Sequence, residues 1–478
     1  MADGTGYVTR AVVFHVDPSP AQERLLRSYC GAVRWSYNWV ISEVTANMAT
    51  RATERETGIS DELLSPSLTP SLSWSQFSLQ KQLNAVKVDI APWSGEVAKH
   101  CFDTGVIQAA AALENWRTSK SGVRAGKRVG FPSFKSRHKA KLSVSFVELN
   151  HQLSWLNGSR HGVRLMLPRT LVQSKDPHTR RCAQQLVWLH TIESTRRLYR
   201  LVEDGKATIQ KVTVSYTGGR WQVSFMVRYQ LAERPVKRPR VTLGGAVGVG
   251  VGLTHLATLS RPIPGVSDEH GHVANPRPLA TQLGKLQKLD RRLARCQNHS
   301  NNRAKLKQQR ARLHGRIAST RKAAHHMLAN ELAARFNIVG LEDLNVTGMT
   351  HNRPLARALA DAGFAQLRTI ITTECSDRHT DLVTVGRFYP SSKTCSNCGT
   401  VKAKLSLSTR TFDCDMCGVI LDRDVNAAHN IEREATRLHA QQQQQQEIHV
   451  AGLRPETRNA DPKPHKTKRA TARQAVAA

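Results

Sequence analysis

Four of the nine cysteines in this 478-residue chain fall into two closely spaced pairs. Cys395 and Cys398 form the first pair, and Cys414 and Cys417 form the second after fifteen intervening residues. A glycine directly follows each pair, where it lets backbone amides approach the thiolates. Four thiolates at this spacing can close a tetrahedral zinc site, and because no ligand position is left for water, the zinc would be structural. The sequence therefore predicts a zinc ribbon.

The charge of the chain indicates its partner. Lysine and arginine number 70 against 37 acidic residues, which gives a formal net charge of +33. Phosphate backbones are the expected polyanion, because neutralising them releases condensed counterions. A membrane surface is disfavoured, since the sequence has no apolar run of about 20 residues and no signal peptide. The five unpaired cysteines are scattered, as in a reducing compartment. We therefore expect a soluble, intracellular protein, cytoplasmic and associated with the nucleoid.

The first half of the chain combines one strand, a helical part and a β-rich part. Residues 7–16 alternate as a strand does, and helical spacing of apolar residues follows over 21–44 and 75–118. A loop rich in Ser and Pro, 58–74, separates these helical stretches. Further along, Thr208–Tyr216 and Trp221–Tyr229 alternate around two glycines, which predicts a hairpin. We expect this β-rich part to form a small barrel or sheet to which the first strand returns.

A short basic segment with prolines, Arg234–Arg240, marks a domain boundary. Two buried strands, Val247–Leu253 and His255–Ser260, should follow it, and then a loop to about residue 276. Two long amphipathic helices with basic outer faces come next, and Asn337–Leu341 forms a further short strand. After about residue 436, a six-glutamine run opens a polar, basic tail that we expect to be disordered.

Carboxylates follow the last of these strands and the zinc ribbon. Glu342 and Asp343 end the strand, and Asp422 and Asp424 stand where a helix begins. Hard oxygen ligands at such positions could hold two magnesium ions about 3.5–4 Å apart across a scissile phosphate. Taken alone, each segment is explained more often by helix capping or by surface salt bridges than by catalysis.

The order of these segments resembles TnpB proteins of insertion sequences and the compact type V CRISPR effectors. The segments that carry the resemblance are Gly248–Leu253 with His255–Ser260, Ile338–Met349, Tyr389–Lys393, the ribbon, and Asp422–Ile431. Looser matches are Pro18–Gln22, Tyr37–Trp39 and Phe131–Lys135. The convincing part covers about residues 245–435.

The resemblance implies an α+β multidomain architecture, with a β-rich wedge domain carrying a helical recognition insertion and then a RuvC (ribonuclease H-like) α/β domain with an inserted four-cysteine zinc ribbon. The implied parts are the first wedge strand (1–20), the helical recognition domain (21–140), the wedge β-barrel (141–240), the first part of the RuvC-like domain (241–390), the ribbon (391–418), the last part of the RuvC-like domain (419–436) and the tail (437–478). The implied partners are a guide RNA and target double-stranded DNA, because family members pair a guide with one DNA strand.

The resemblance also implies a catalytic set that this chain lacks in part. Glu342 matches the second catalytic carboxylate and Asp424 the third, with Asp422 as an alternative for the third. Family members usually read Gly-x-Asp-x-Gly in the first core strand, whereas Gly250 stands here at the aspartate position. Three explanations are open: natural inactivation, replacement of the lost ligand by Asp268 or Asp343, or a decayed or altered gene.

Three functions therefore remain open: an RNA-guided DNA-binding protein with weak or lost magnesium-dependent cleavage, an active RNA-guided endonuclease, and a guide-independent DNA-binding factor. Basic residues in the aromatic-containing run 120–141, on the two long helices and before the ribbon are candidates for nucleic-acid contact. They are Lys127, Arg128, Lys135, Arg137, Lys288, Arg291, Arg292 and Lys393. The run 120–141 is also compatible with a solvated loop whose phenylalanines fill a neighbouring core.

Overall fold

A computed structural model describes residues 2–3, 7–56, 69–147, 152–156, 158, 161–230, 243–406 and 409–452. The chain divides into two compact units. The first comprises residues 1–236 and 278–320, and the second comprises residues 237–277 and 321–478. The expected boundary segment Arg234–Arg240 and most of the expected loop 58–74 lie outside the described residues.

The structure contains the following elements among the described residues. The helices are α1 (Pro20–Glu56), α2 (Gln76–Ile90), α3 (His100–Lys120), α4 (Arg169–Val172), α5 (Pro177–Leu186), α6 (Arg196–Glu203), α7 (Pro278–Arg295), α8 (Asn301–Arg335), α9 (Val346–Met349), α10 (Arg353–Ala362), α11 (Phe364–Arg378) and α12 (Arg423–Gly452). The strands are β1 (Ala2–Asp3), β2 (Tyr7–Val16), β3 (Ser143–Phe146), β4 (Val163–Arg164), β5 (Trp188–Leu189), β6 (Ala207–Thr217), β7 (Arg220–Gln230), β8 (Ala246–Val251), β9 (His255–Leu259), β10 (His272–Ala274), β11 (Ile338–Glu342), β12 (Asp381–Val385), β13 (Thr411–Asp413) and β14 (Ile420–Asp422). None of the helices in the described ranges is long and apolar enough to cross a membrane.

The first unit contains a five-stranded sheet in the order β1-β2-β7-β6-β3. The hairpin β6–β7 turns at two glycines with positive φ, as the sequence predicts. Strand β2 pairs along the whole of β7, so the return of the first strand to this sheet is also confirmed. Helices α1 and α3 pack against each other and supply much of the same core. The helical stretch predicted over 75–118 is interrupted at Pro92, where a short 3-10 turn separates α2 from α3.

Helix α7 and the part of α8 up to Thr320 belong to the first unit. The tip of the β6–β7 hairpin explains this placement. A Cβ atom on Gly315 would lie 2.7 Å from the carbonyl oxygen of Gly218, and one on Gly219 would lie 2.6 Å from the Arg312 side chain. The glycines therefore allow the strand hairpin to contact α8 backbone to backbone.

The second unit contains a sheet in the order β10-β9-β8-β11-β12. Strands β10, β9 and β8 pair antiparallel, whereas β8, β11 and β12 run parallel. This mixed sheet agrees with the expected ribonuclease H-like core. Strand β10 lies within the segment that we expected to be a loop, because its three residues are too few to produce a visible alternation.

Helix α12 packs on this sheet at two glycines. A Cβ atom on Gly248 would lie 2.0 Å from the carbonyl oxygen of Ala428, and one on Gly340 would lie 2.7 Å from the Cβ of Ala435. Only glycine therefore permits this separation. The helix continues to Gly452, so our expectation of disorder from residue 437 is wrong up to that point. Each residue added to an existing helix makes one more backbone hydrogen bond, and glutamine has a favourable helix propensity. Residues 453–478 lie outside the described residues.

Candidate metal centre and catalytic core

The four predicted cysteines converge on one point. The Sγ atoms of Cys395 and Cys417 are 3.7 Å apart, and those of Cys398 and Cys414 are 3.6 Å apart. Zinc–sulfur bonds of about 2.3 Å place tetrahedral sulfurs about 3.8 Å from one another. The spacing therefore fits a zinc ion, and in the described part of the chain this is the only group of three or more ligand-type residues that is already assembled.

The two cysteine pairs sit on matching turns. The amide of Gly399 donates to the carbonyl of Cys395, and the amide of Gly418 donates to the carbonyl of Cys414, each at 2.9 Å. Both glycines have positive φ, which a side chain would disfavour. Hydrogen bonds with the side chain and backbone of Thr400 lower the pKa of the Cys398 thiol to about 6, which favours the thiolate that a metal requires.

Two buried asparagines attach the segment before the ribbon to α12. The Asn426 side chain accepts from the Ser396 amide at 2.8 Å and donates to the Thr394 carbonyl at 2.7 Å. One turn later, Asn430 donates to the carbonyls of Ser391 and Thr394. Both asparagines are fully buried. The segment Asp422–Ile431, matched above by resemblance, thus contains two residues whose contacts are structural.

Glu342 ends β11 and is held from a distant part of the chain. The Ser391 hydroxyl donates to Glu342 Oε1 at 2.6 Å, and Ser391 is itself held by Asn430. Burial raises the pKa of Glu342, the Ser391 hydrogen bond opposes the rise, and the negative charge of Asp424 adds to it. Glu342 and Asp424 are therefore close enough to repel each other. The sequence could not indicate the contact with Ser391, because 49 residues separate the partners.

The two aspartates at the start of α12 have different roles. Asp422 precedes the helix, and its Oδ1 accepts from the amides of Asp424 and Val425 at 2.7 and 3.1 Å, as an N-cap does. Asp424 lies in the first turn, where Arg423 is 3.3 Å and Arg410 is 3.8 Å from its carboxylate. Asp422 therefore caps the N-terminus of α12, whereas the Asp424 carboxylate lies near two arginines.

Gly250 lies on the same face of the sheet as Glu342, and α12 packs against this face. Leu341 pairs with Val249, so Gly250 is next to Glu342 in the parallel register. Alternate strand residues share a face, and Gly248 already contacts α12. A Cβ atom on Gly250 would meet its nearest neighbours, Ile431 and Thr258, at 3.9 Å. This is ordinary van der Waals contact, so the position has room for the first atom of a side chain.

The two carboxylates considered as substitutes at this position are both engaged elsewhere. Each oxygen of Asp343 lies 2.8 Å from a guanidinium, one from Arg368 and one from Arg387. The Arg368 hydrogen bond and the charge of Arg387 lower the pKa of Asp343. Asp268 accepts from the amides of His270 and His272 at 3.0 and 2.7 Å. Neither aspartate is among the strand residues beside Gly250.

The candidate nucleic-acid contacts differ in exposure. Those exposed to solvent are Lys127, Arg128, Arg137, Lys288, Arg291 and Arg292, whereas Lys393 is half-buried. Lys135 is turned inward: its ammonium lies 3.6 Å from the centre of the Tyr37 ring and donates to Gln108 at 2.6 Å. Burial lowers the pKa of Lys135 to about 8. This placement favours a packing role for Lys135 over contact with phosphate.

The residues present fit a divalent cation only in part. Glu342 and Asp424 offer carboxylate oxygens at one end of the sheet, and a cation between them would relieve their repulsion. The neighbouring strand position offers no oxygen, because it is Gly250. Of the three positions that the resemblance assigns to carboxylates, Glu342 and Asp424 carry one and Gly250 does not.

Comparison with known proteins gives three family models over separate segments. A helix-turn-helix domain matches residues 6–52, a family described as "Probable transposase" matches 227–353, and a "Cas12f1-like, TNB domain" matches 364–431. The last match contains the ribbon and the start of α12.

Several relatives are similar over most of their length. A Streptomyces pristinaespiralis protein named "Putative RNA-guided DNA endonuclease" is 33% identical over 321 residues, covering 67% of this chain and 69% of the relative. A Mycobacterium tuberculosis protein with the same description is 29% identical over 443 residues, covering 90% and 87%. A solved Cas12f1–sgRNA–target DNA complex aligns at 12% identity with a TM-score of 0.46, over 90% of this chain and 99% of that one.

Proposed function

Because the chain belongs to the TnpB-like family, we propose that it binds double-stranded DNA under the direction of a guide RNA and cleaves that DNA weakly or not at all. The net charge of +33 supports binding to nucleic acid, and the names of its relatives support guidance by RNA. Sequence recognition would come from base pairing with the guide, while the protein holds the backbones. The zinc ribbon would be a structural module beside the core.

A single observation carries the proposed loss of cleavage. Gly250 stands beside Glu342 on the face that α12 covers, and it has no ligand atom. Removing one strong electrostatic contributor commonly lowers the rate about 10²–10³-fold. Losing a carboxylate that would bind the magnesium ions should lower the cleavage rate by at least this factor, because the ions themselves would then bind less tightly.

The retained carboxylates have definite roles in this proposal. Glu342 and Asp424 would hold the remaining magnesium ion, which would supply charge stabilisation at the scissile phosphate. Ser391 keeps Glu342 oriented, and Asn430 keeps Ser391 in place. A chain that has kept this supporting set would bind DNA through an intact core even without cleaving it.

The RNA-guided part is tested by purifying the protein with its bound RNA, sequencing that RNA and measuring affinity for matched and scrambled duplexes. We expect RNA of defined sequence and tighter binding to the matched duplex, which is lost after ribonuclease treatment. Equal binding to both duplexes before and after ribonuclease would instead identify a guide-independent DNA-binding factor and overturn the proposal.

A further inference from the structure

A histidine lies in the same row of the sheet as Gly250. Gly250 pairs with Thr258 on β9, and Thr258 pairs with His272 on β10. Side chains at paired positions share a face, so His272 lies on the face that carries Gly250 and Glu342. The His272 ring stacks on His255 at 4.1 Å between centroids and is 12% exposed.

One nitrogen of this histidine is bound to a carboxylate. His272 Nδ1 lies 3.3 Å from Asp268 Oδ2, and two backbone amides hold the other oxygen of Asp268. An ionised carboxylate only accepts hydrogen bonds, so Nδ1 carries the proton. Metal-binding histidines generally donate their second nitrogen to a carboxylate in this way, which leaves Nε2 with its lone pair available.

The other nitrogen has no hydrogen-bond partner within the described ranges. His272 Nε2 is buried and lies 3.8 Å from Asp422 Oδ1. This separation is too long for a hydrogen bond. Two ligand atoms each about 2.1 Å from one ion can lie at most about 4.2 Å apart, so a single cation between Nε2 and Oδ1 could bind both atoms at this separation.

A fixed ion pair is the alternative interpretation of these residues. A protonated His272 between Asp268 and Asp422 would also place a nitrogen near each carboxylate. In that state, however, the buried Nε2–H would lack an acceptor at hydrogen-bonding distance, which costs about 1–3 kcal/mol. A cation at Nε2 removes this cost and also offsets the negative charge of Asp422.

We propose that His272 Nε2 and Asp422 bind a divalent transition-metal cation at the sheet edge beside Gly250, with Asp268 positioning the imidazole. An imidazole ligand favours Mn²⁺ and later metals over Mg²⁺. The Asp422 oxygen nearest to Nε2 is Oδ1, which also accepts the amides that cap α12. The site is independent of guide RNA and of cleavage, because only protein residues form it.

The test uses the full-length chain with zinc in the ribbon, freed of RNA by ribonuclease and high salt, and titrated with MnCl₂. Electron paramagnetic resonance of free Mn²⁺ gives the affinity. Electron spin echo modulation shows whether a histidine nitrogen is bound, because labelling histidine with ¹⁵N changes the modulation frequency. The variants are His272→Ala, Asp422→Asn, which retains an N-cap, and His270→Ala as a control on a neighbouring exposed ring.

The proposal predicts a nitrogen modulation that follows the histidine label, and a dissociation constant that rises about tenfold or more in His272→Ala and Asp422→Asn but less than about twofold in His270→Ala. Excess Mg²⁺ should displace Mn²⁺ poorly. Mn²⁺ bound without histidine modulation, or bound equally by His272→Ala, would overturn the proposal and assign the ion to carboxylates alone.

Discussion

Replacing Gly248 by alanine should destabilise the second unit, whereas the same replacement at Gly250 should not. A Cβ atom on Gly248 would lie 2.0 Å from the Ala428 carbonyl oxygen and 2.5 Å from the Glu432 amide nitrogen. Both are backbone atoms of α12, so the helix itself would have to move. At Gly250, two residues along the same strand face, the nearest atoms would be 3.9 Å away.

The two effects should differ in sign as well as size. Overpacking typically costs about 1–3 kcal/mol, and displacing a helix places Gly248→Ala at about 3 kcal/mol or above. Gly250→Ala should instead stabilise by about 0.5–1 kcal/mol, because glycine within a strand loses more backbone entropy on folding than alanine does. Gly250→Ala is therefore a matched control for Gly248→Ala.

Hydrogen exchange resolves this difference, and tryptophan fluorescence does not. All eight tryptophans lie between residues 35 and 221, so fluorescence follows the first unit. Peptides from β8 and α12 should exchange about a hundredfold faster in Gly248→Ala, since 1.4 kcal/mol is tenfold, and no faster in Gly250→Ala. Equal protection in both variants would refute the close packing of α12 on β8. Faster exchange in Gly250→Ala would remove the argument that the fold does not require glycine at position 250.

Three further outcomes are expected. Metal analysis of the unaltered protein should find one zinc ion per chain in the ribbon, and Cys414→Ser should lose it, because three ligands bind zinc less tightly than four. Asn426→Ala should leave the Thr394 carbonyl without one of its buried donors and lower the stability of the ribbon attachment by about 1–3 kcal/mol, measured as faster exchange there. Lys135→Met should leave the slope of log affinity against log salt unchanged, whereas Lys288→Met should reduce it by about 1 if Lys288 contacts phosphate.

Local signals in the sequence were sufficient for several elements. The hairpin β6–β7 could be predicted because its two glycines and its alternation lie within about twenty residues. The ribbon could be predicted because its ligands are the same residues that define its spacing. In both cases the residues that determine the structure are neighbours along the chain.

Features that depend on distant partners could not be predicted. The contact between Ser391 and Glu342 joins residues 49 positions apart, and the placement of α7–α8 depends on a glycine contact with another element. The asparagines of α12 are conspicuous in the sequence, but their partners become visible only when the loop before the ribbon is folded. The inward turn of Lys135 likewise depends on Tyr37, almost a hundred residues earlier.

The most direct test of the account is cleavage of a guide-matched DNA duplex in Mg²⁺ by the chain and by Gly250→Asp, each purified with its bound RNA. Binding of the same duplex is measured alongside, and Gly250→Asp combined with Glu342→Gln serves as the control for contaminating nuclease. The account predicts that all three proteins bind and that only the single Gly250→Asp variant cleaves. Equal cleavage by the chain itself would contradict it, because another group would then complete the site.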